Sequence, residues 1–102
     1  MTLMELSMVP LGKGSSFSPY IARILTIIDE SGLEYRLNPM GTVVEGEWDD
    51  LMKVLTACFR ALEKDSERVS AQVKFDYRRG VSGALDSKMK SVEDKAGRSF
   101  KK

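Results

Sequence analysis

The chain contains no histidine and a single cysteine, Cys58. Imidazole acid–base chemistry and the common zinc constellations are therefore closed to it. One thiol excludes an internal disulfide and fits a reducing compartment. No apolar run approaches the roughly 20 residues that span a bilayer. The sequence opens on an alternating segment without a signal-peptide pattern, so the expected location is cytoplasmic, with no membrane partner. An excess of one charge is also lacking: 16 basic and 15 acidic residues give a net charge of +1. A general nucleic-acid binder shows a basic domain or stripe instead. Proline is scarce, and each of the three, Pro10, Pro19 and Pro39, punctuates a pattern. These absences argue against most enzymes and leave a single globular domain over residues 1–102.

Periodicity supplies the elements. In Thr2–Leu11, Met4, Leu6 and Met8 alternate with Glu5 and Ser7, the period of a half-buried strand. The strand stops at Pro10 and runs into a Gly/Ser-rich loop. Ser18-Pro19 predicts a helix start, with Ser18 as N-cap and Pro19 in the first turn. Ile21, Ile24, Leu25 and Ile28 then form one apolar helix face, closed by Gly32. Glu34–Met40 and Thr42–Glu47 read as two strands made irregular by Pro39, Gly41 and Gly46. Asp49–Lys64 reads as a second helix with Leu51, Met52, Leu55, Phe59 and Leu62 on its stripe. Val69–Arg79 alternates again, and Ser87–Arg98 forms a third, polar helix that docks on something or frays. The order predicts an α+β fold, a ferredoxin-like βαββαβ sandwich with an extra C-terminal helix.

Two helices cover one sheet face, so the other is expected to stay open. By parity it carries Glu5, Ser7, Arg36, Asn38, Val43, Glu45, Gln72, Lys74 and Asp76. Such a face is solvated, or packs against another copy with a cleft where polar groups converge. Gly12–Ser16 precedes a helix, but the G-x-x-x-x-G-K-[ST] spacing of a phosphate loop is absent. It reads as a flexible connection, with a lid or anion contact as the alternative. Cys58, without a histidine to activate it, reads as a buried structural thiol. Trp48 reads as an anchor at the entry of the second helix, or as an aromatic wall for a ring-shaped ligand.

MELSMVPLGKGSSFSPYIARIL, with its S-x-x-P-L-G-x-G-x-S-x-S spacing, and YRLNPMGTVVEGEWDDLM together resemble the small thiamine-binding proteins. The likeness spans roughly Met1 to Arg98, and the Y-x-L-x-P-M-G-T-x-x-E-G run is its more specific part. It implies a ferredoxin-like domain, a homotetramer, and binding of thiamine or its hydroxymethylpyrimidine part, with no cofactor. Ser7, and the run from Asn38, Met40 and Thr42 to Glu45, match the motif positions. Thiamine joins a flat aminopyrimidine to a cationic thiazolium. Ser7, Asn38 and Glu45 are expected to supply the polar partners, Glu45 first. Met40, Trp48 or Tyr77 would supply walls. Other roles stay open for two of these: Thr42 as a cap of the turn, Glu45 as a cross-strand partner of Arg36.

The leading expectation is a non-catalytic binder of thiamine or a related pyrimidine in a homo-oligomer. The alternative is a ligand-free interaction module using the same face for oligomerisation. Acylphosphatases share fold and size, but their G-x-V-Q-G-V-x-F-R signature is missing. An RNA-binding version would need aromatics on the open face, whereas Phe75 and Tyr77 fall on the core parity.

Overall fold

A computed structural model of the chain describes residues 1–101. Strand β1 (Thr2–Leu11) leads into helix α1 (Ser18–Glu30). Then come β2 (Glu34–Asn38), β3 (Gly41–Gly46), α2 (Trp48–Glu63), β4 (Arg68–Tyr77) and α3 (Ala84–Ala96). The strands form one antiparallel sheet in the order β2-β3-β1-β4. This is the expected ferredoxin-like sandwich with its added C-terminal helix.

The period-two pattern of β1 turns Met4, Leu6 and Met8 toward α1 and α2, where they join Val44 of β3. Ile24 and Ile28 of α1 and Leu51, Val54, Cys58 and Leu62 of α2 complete the core. The α2 stripe is rotated from the expected one. Val54 and Cys58 face the sheet, while Phe59 stands at the flank, 36% exposed. Arg23 links the two helices from outside: it donates to both carboxylate oxygens of Asp65 and to the Ala61 carbonyl.

Three sequence expectations are corrected. Helix α1 starts at Ser18 and takes Phe17 as its N-cap, with no side-chain cap bond. The Phe17 carbonyl accepts from the Tyr20 and Ile21 amides, so the turn closes one residue earlier than Ser18 would close it. The β2–β3 hairpin is regular: Glu34 to Asn38 pair with Glu45 to Gly41 without a bulge. Pro39 and Met40 alone form its turn, so the parities on both strands hold. Finally, the face opposite α1 and α2 is not left wholly open. Helix α3 crosses part of it, with Arg36 paired to Asp86 and Asp76 paired to Lys88. Its thin apolar content agrees with this placement, since none of its residues is fully buried.

Candidate ligand-binding site

The site follows from a difference in strand length. All ten residues of β1 pair with β4, from Thr2 opposite Tyr77 to Leu11 opposite Arg68. On its other side β1 pairs with β3 only from Thr2 to Leu6. From Ser7 onward, one edge of β1 therefore has no neighbouring strand. The β2–β3 turn and the first turn of α1 stand around that gap. They enclose a pocket of about 760 Å³, open to solvent.

Gly41 sets how closely the turn approaches. A Cβ there would lie 3.3 Å from the Leu6 carbonyl oxygen, so any other residue would require the backbone to give by a few tenths of an ångström where the pairing ends. The turn also has no positive-φ residue and no cis peptide. Pro39-Met40 is thus neither a type II nor a primed turn, and unprimed turns splay the strands they join. Met40 projects into solvent at 89% exposure, on the rim of the pocket.

The walls are apolar side chains of the core layer, Leu6, Met8, Ile24 and Leu37, with Phe17 and Ile21 of the α1 entry. Ser7, Asn38 and Thr42 are the lining residues with polar side chains; Thr42 shares the core face with Leu6 and Leu37, and Ser7 and Asn38 belong to the opposite face of the sheet. Among the described residues none of these three holds a side-chain hydrogen bond within the chain. An amide and two hydroxyls without partners, on the two sides of the strand ends that border the pocket, can read the edge of a flat polar ring.

The structure thus brings together four of the six expected site residues: Ser7, Asn38, Met40 and Thr42. Thr42 lies within β3, buried opposite Leu6 and Leu37, and caps no turn. Glu45 lies farther along β3, 7% exposed, and accepts a 2.8 Å hydrogen bond from the Ala84 amide at the start of α3. Arg36 pairs with Asp86, so the Arg36–Glu45 pair does not form. Trp48 is on the helix side, its ring centroid 4.6 Å from that of Phe75. Tyr77 stands opposite Thr2, at the far end of the sheet. The Gly12–Ser16 loop is exposed and lines no part of the pocket.

A family profile described as thiamine-binding protein matches residues 4–93. The chain belongs to the thiamine-binding protein family. Similar members include the UPF0045 protein MJ1052 of Methanocaldococcus jannaschii, 32% identical over 88 residues, or 86% of this chain and 88% of that one. The UPF0045 protein YqgV of Bacillus subtilis is 34% identical over 98 residues, covering 90% of this chain and 94% of that protein. Among solved structures, that of MJ1052 superposes with a TM-score of 0.84 at 30% identity, over 91% of this chain and 96% of the other. The TM0486 protein of Thermotoga maritima, provisionally assigned to thiamine biosynthesis or salvage, gives a TM-score of 0.74 at 27% identity. It covers 85% of this chain and 96% of that one.

Within this member of the thiamine-binding protein family, the two motif segments meet at the pocket: Ser7 from the first, Asn38 to Thr42 from the second. Periodicity alone assigns Leu6, Leu37 and Ile21 to the core, and so misses them as walls. The signal that locates them is the ten-residue β1 beside the six-residue β3. A strand that overhangs its neighbour leaves core-parity side chains uncovered at its end. Among the described residues no group of three His, Cys, Asp or Glu side chains could hold a metal. No described helix is long and apolar enough to cross a membrane.

Proposed function

We propose that the protein is a non-catalytic, cytoplasmic binder of thiamine or its hydroxymethylpyrimidine part, and that the pyrimidine ring occupies the pocket beside β1. One observation carries this reading: both motif segments converge on a single apolar pocket whose polar side chains have no partners. An aminopyrimidine is flat, uncharged near neutral pH, and bears donors and acceptors around its rim. Asn38 offers both kinds of group, and Ser7 and Thr42 offer hydroxyls that turn to suit. Leu37, Phe17 and Met40 suit the ring faces. Glu45, engaged with α3, and Trp48, whose ring lies against Phe75 of β4, stand outside this site.

Calorimetric titration with thiamine and with hydroxymethylpyrimidine tests the reading. Saturable binding of both is expected, and Asn38→Ala weakens each roughly tenfold, the loss of about one buried hydrogen bond. Silence from both ligands, with the protein shown to be folded, overturns it.

The family resemblance also supports assembly of identical chains, a homotetramer. Leu37 at 59% and Met40 at 89% exposure form an apolar rim that a second copy would cover.

A further inference from the structure

Strand β4 is ten residues long, and β1 occupies only one of its two edges. Among the described residues, no backbone group of Arg68–Tyr77 bonds to anything but β1. A long free edge is a template for another strand, and chains that stay apart blunt it with proline, bulges or short strands. β4 has none of these: it lacks proline and glycine, and it pairs with β1 without a bulge. The opposite edge is blunted. β2 has five residues and stops just before Pro39.

The helix side of the β4 edge is apolar. Leu55 and Phe59 of α2, with Ala71 and Val73 of β4, line an open cleft of about 340 Å³. Arg60 also lines it, its guanidinium over the Phe59 ring. Ala71 is exposed although it lies on the core parity, and Val69 to Val73 carry no charge.

The sequence of β4 is complementary to itself. Two antiparallel strands whose sheets share one core face must pair residues of like parity. With Gln72 opposite its own copy, Arg68 faces the partner's Asp76 and Lys74 faces the partner's Ser70. On the helix side, Val69 meets the partner's Phe75 and Ala71 meets the partner's Val73. Arg68 holds no ion pair among the described residues, and Asp76 meets Lys88 through one oxygen only. Sliding the strands by two residues either way sets Arg68 against a like charge, the partner's Lys74 or the partner's Arg78. Opposite charges across a strand pair stabilise it and like charges oppose it.

We propose that β4 pairs antiparallel with β4 of a second copy, across a two-fold axis at Gln72. Two four-stranded sheets become one of eight strands, and the cleft beside Phe59 closes. The contact stands apart from the ligand pocket, which lies on the β3 side of β1. A tetramer of dihedral symmetry combines different two-fold contacts, and this edge supplies one besides the pocket rim.

Two measurements on the full chain test the contact. Ala71→Lys puts an ammonium where the single chain is exposed and the paired edge is buried. Light scattering is expected to return half the wild-type mass, with native circular dichroism. Gln72→Cys reads the register, since Cys58 is buried and does not compete. Directly opposed residues have Cα atoms about 4.5–5.5 Å apart, within the span of about 4.4–6.8 Å that a disulfide bridges. Mild oxidation is therefore expected to link Gln72→Cys chains into covalent pairs. Ser70→Cys chains stay single, because their thiols lie about 14 Å apart along the strands. A wild-type protein at the single-chain mass overturns this contact and the rim contact together. An assembly whose mass Ala71→Lys leaves unchanged overturns the β4 contact alone. Cross-linking at Ser70→Cys that equals or exceeds that at Gln72→Cys overturns the register.

Discussion

Asn38 and Glu45 stand on the same face of the sheet, yet one is uncommitted and the other is bound to a helix. The difference lies in what each strand position meets, not in the residue's chemistry. The same principle decides Cys58. It sits at the centre of the α2 stripe with no exposed surface, and burial pushes its thiol up to about 11. A raised value means that the native state keeps its proton where an unfolded thiol would lose it. The thiol's effect on stability is thus neutral below the ordinary cysteine range near 8.5. Stability then falls as pH rises from there toward 11. Reactivity follows the thiolate. At pH 8 an aromatic disulfide reagent is expected to leave the native chain untouched and to titrate one thiol once urea unfolds it. Labelling of the native chain at the rate of a free peptide thiol would contradict this assignment.

Helix α3 is the element held most lightly. None of its residues is fully buried, and its N-cap, Gly83, has a left-handed backbone and no side chain to cap with. The Glu45 carboxylate supplies the cap from β3, and the Arg36–Asp86 and Asp76–Lys88 pairs hold the helix across the sheet. Replacing a capping acceptor costs about 1 kcal/mol, so Glu45→Ala is expected to speed amide exchange along α3 roughly fivefold. Exchange in β1 and α2 stays unchanged. Uniform acceleration throughout the chain would assign Glu45 to the global core instead. The hydrogen bond from Lys88 and its positive charge hold the Asp76 carboxyl below its ordinary value. That contribution is complete above about pH 4 and is lost as pH falls through the lowered native value. Protection of α3 should therefore be flat from pH 5 to 8 and drop below 4. The helix itself is visible in its sequence, but its docking place is not. Its contacts join residues 39 and 50 positions apart through polar groups that no periodicity distinguishes from a solvated face. By contrast β1, α1, α2 and β4 were legible, because each carries an apolar period matched to its own geometry.

The assembled sheet turns those local patterns into a site. The two faces follow from alternation, as the sequence reading expects, and the strand order β2-β3-β1-β4 accommodates both crossovers. The pocket does not follow in the same way. It depends on where β3 stops along β1, at the two-residue turn of Pro39-Met40, with Gly41 close against Leu6. The motif segments pointed to the right strands. They could not separate Glu45 from Asn38, which lie on neighbouring strands of one face. The exposed rim of that pocket makes a claim about the molecule in solution. Contiguous apolar side chains at a surface mark contact sites, and Leu37 and Met40 flank the opening. Light scattering is expected to return about four times the 11.4 kDa chain mass. Met40→Asp places a carboxylate on the rim of every copy. Desolvating it, or bringing copies of it together, opposes association, so the variant is expected to shift toward the single-chain mass while keeping its native circular dichroism. A wild-type protein that runs at the single-chain mass would remove the assembly and leave the rim as the mouth of a monomeric site. A tetramer indifferent to Met40→Asp would move the contact to another surface, such as the unpaired edge of β4.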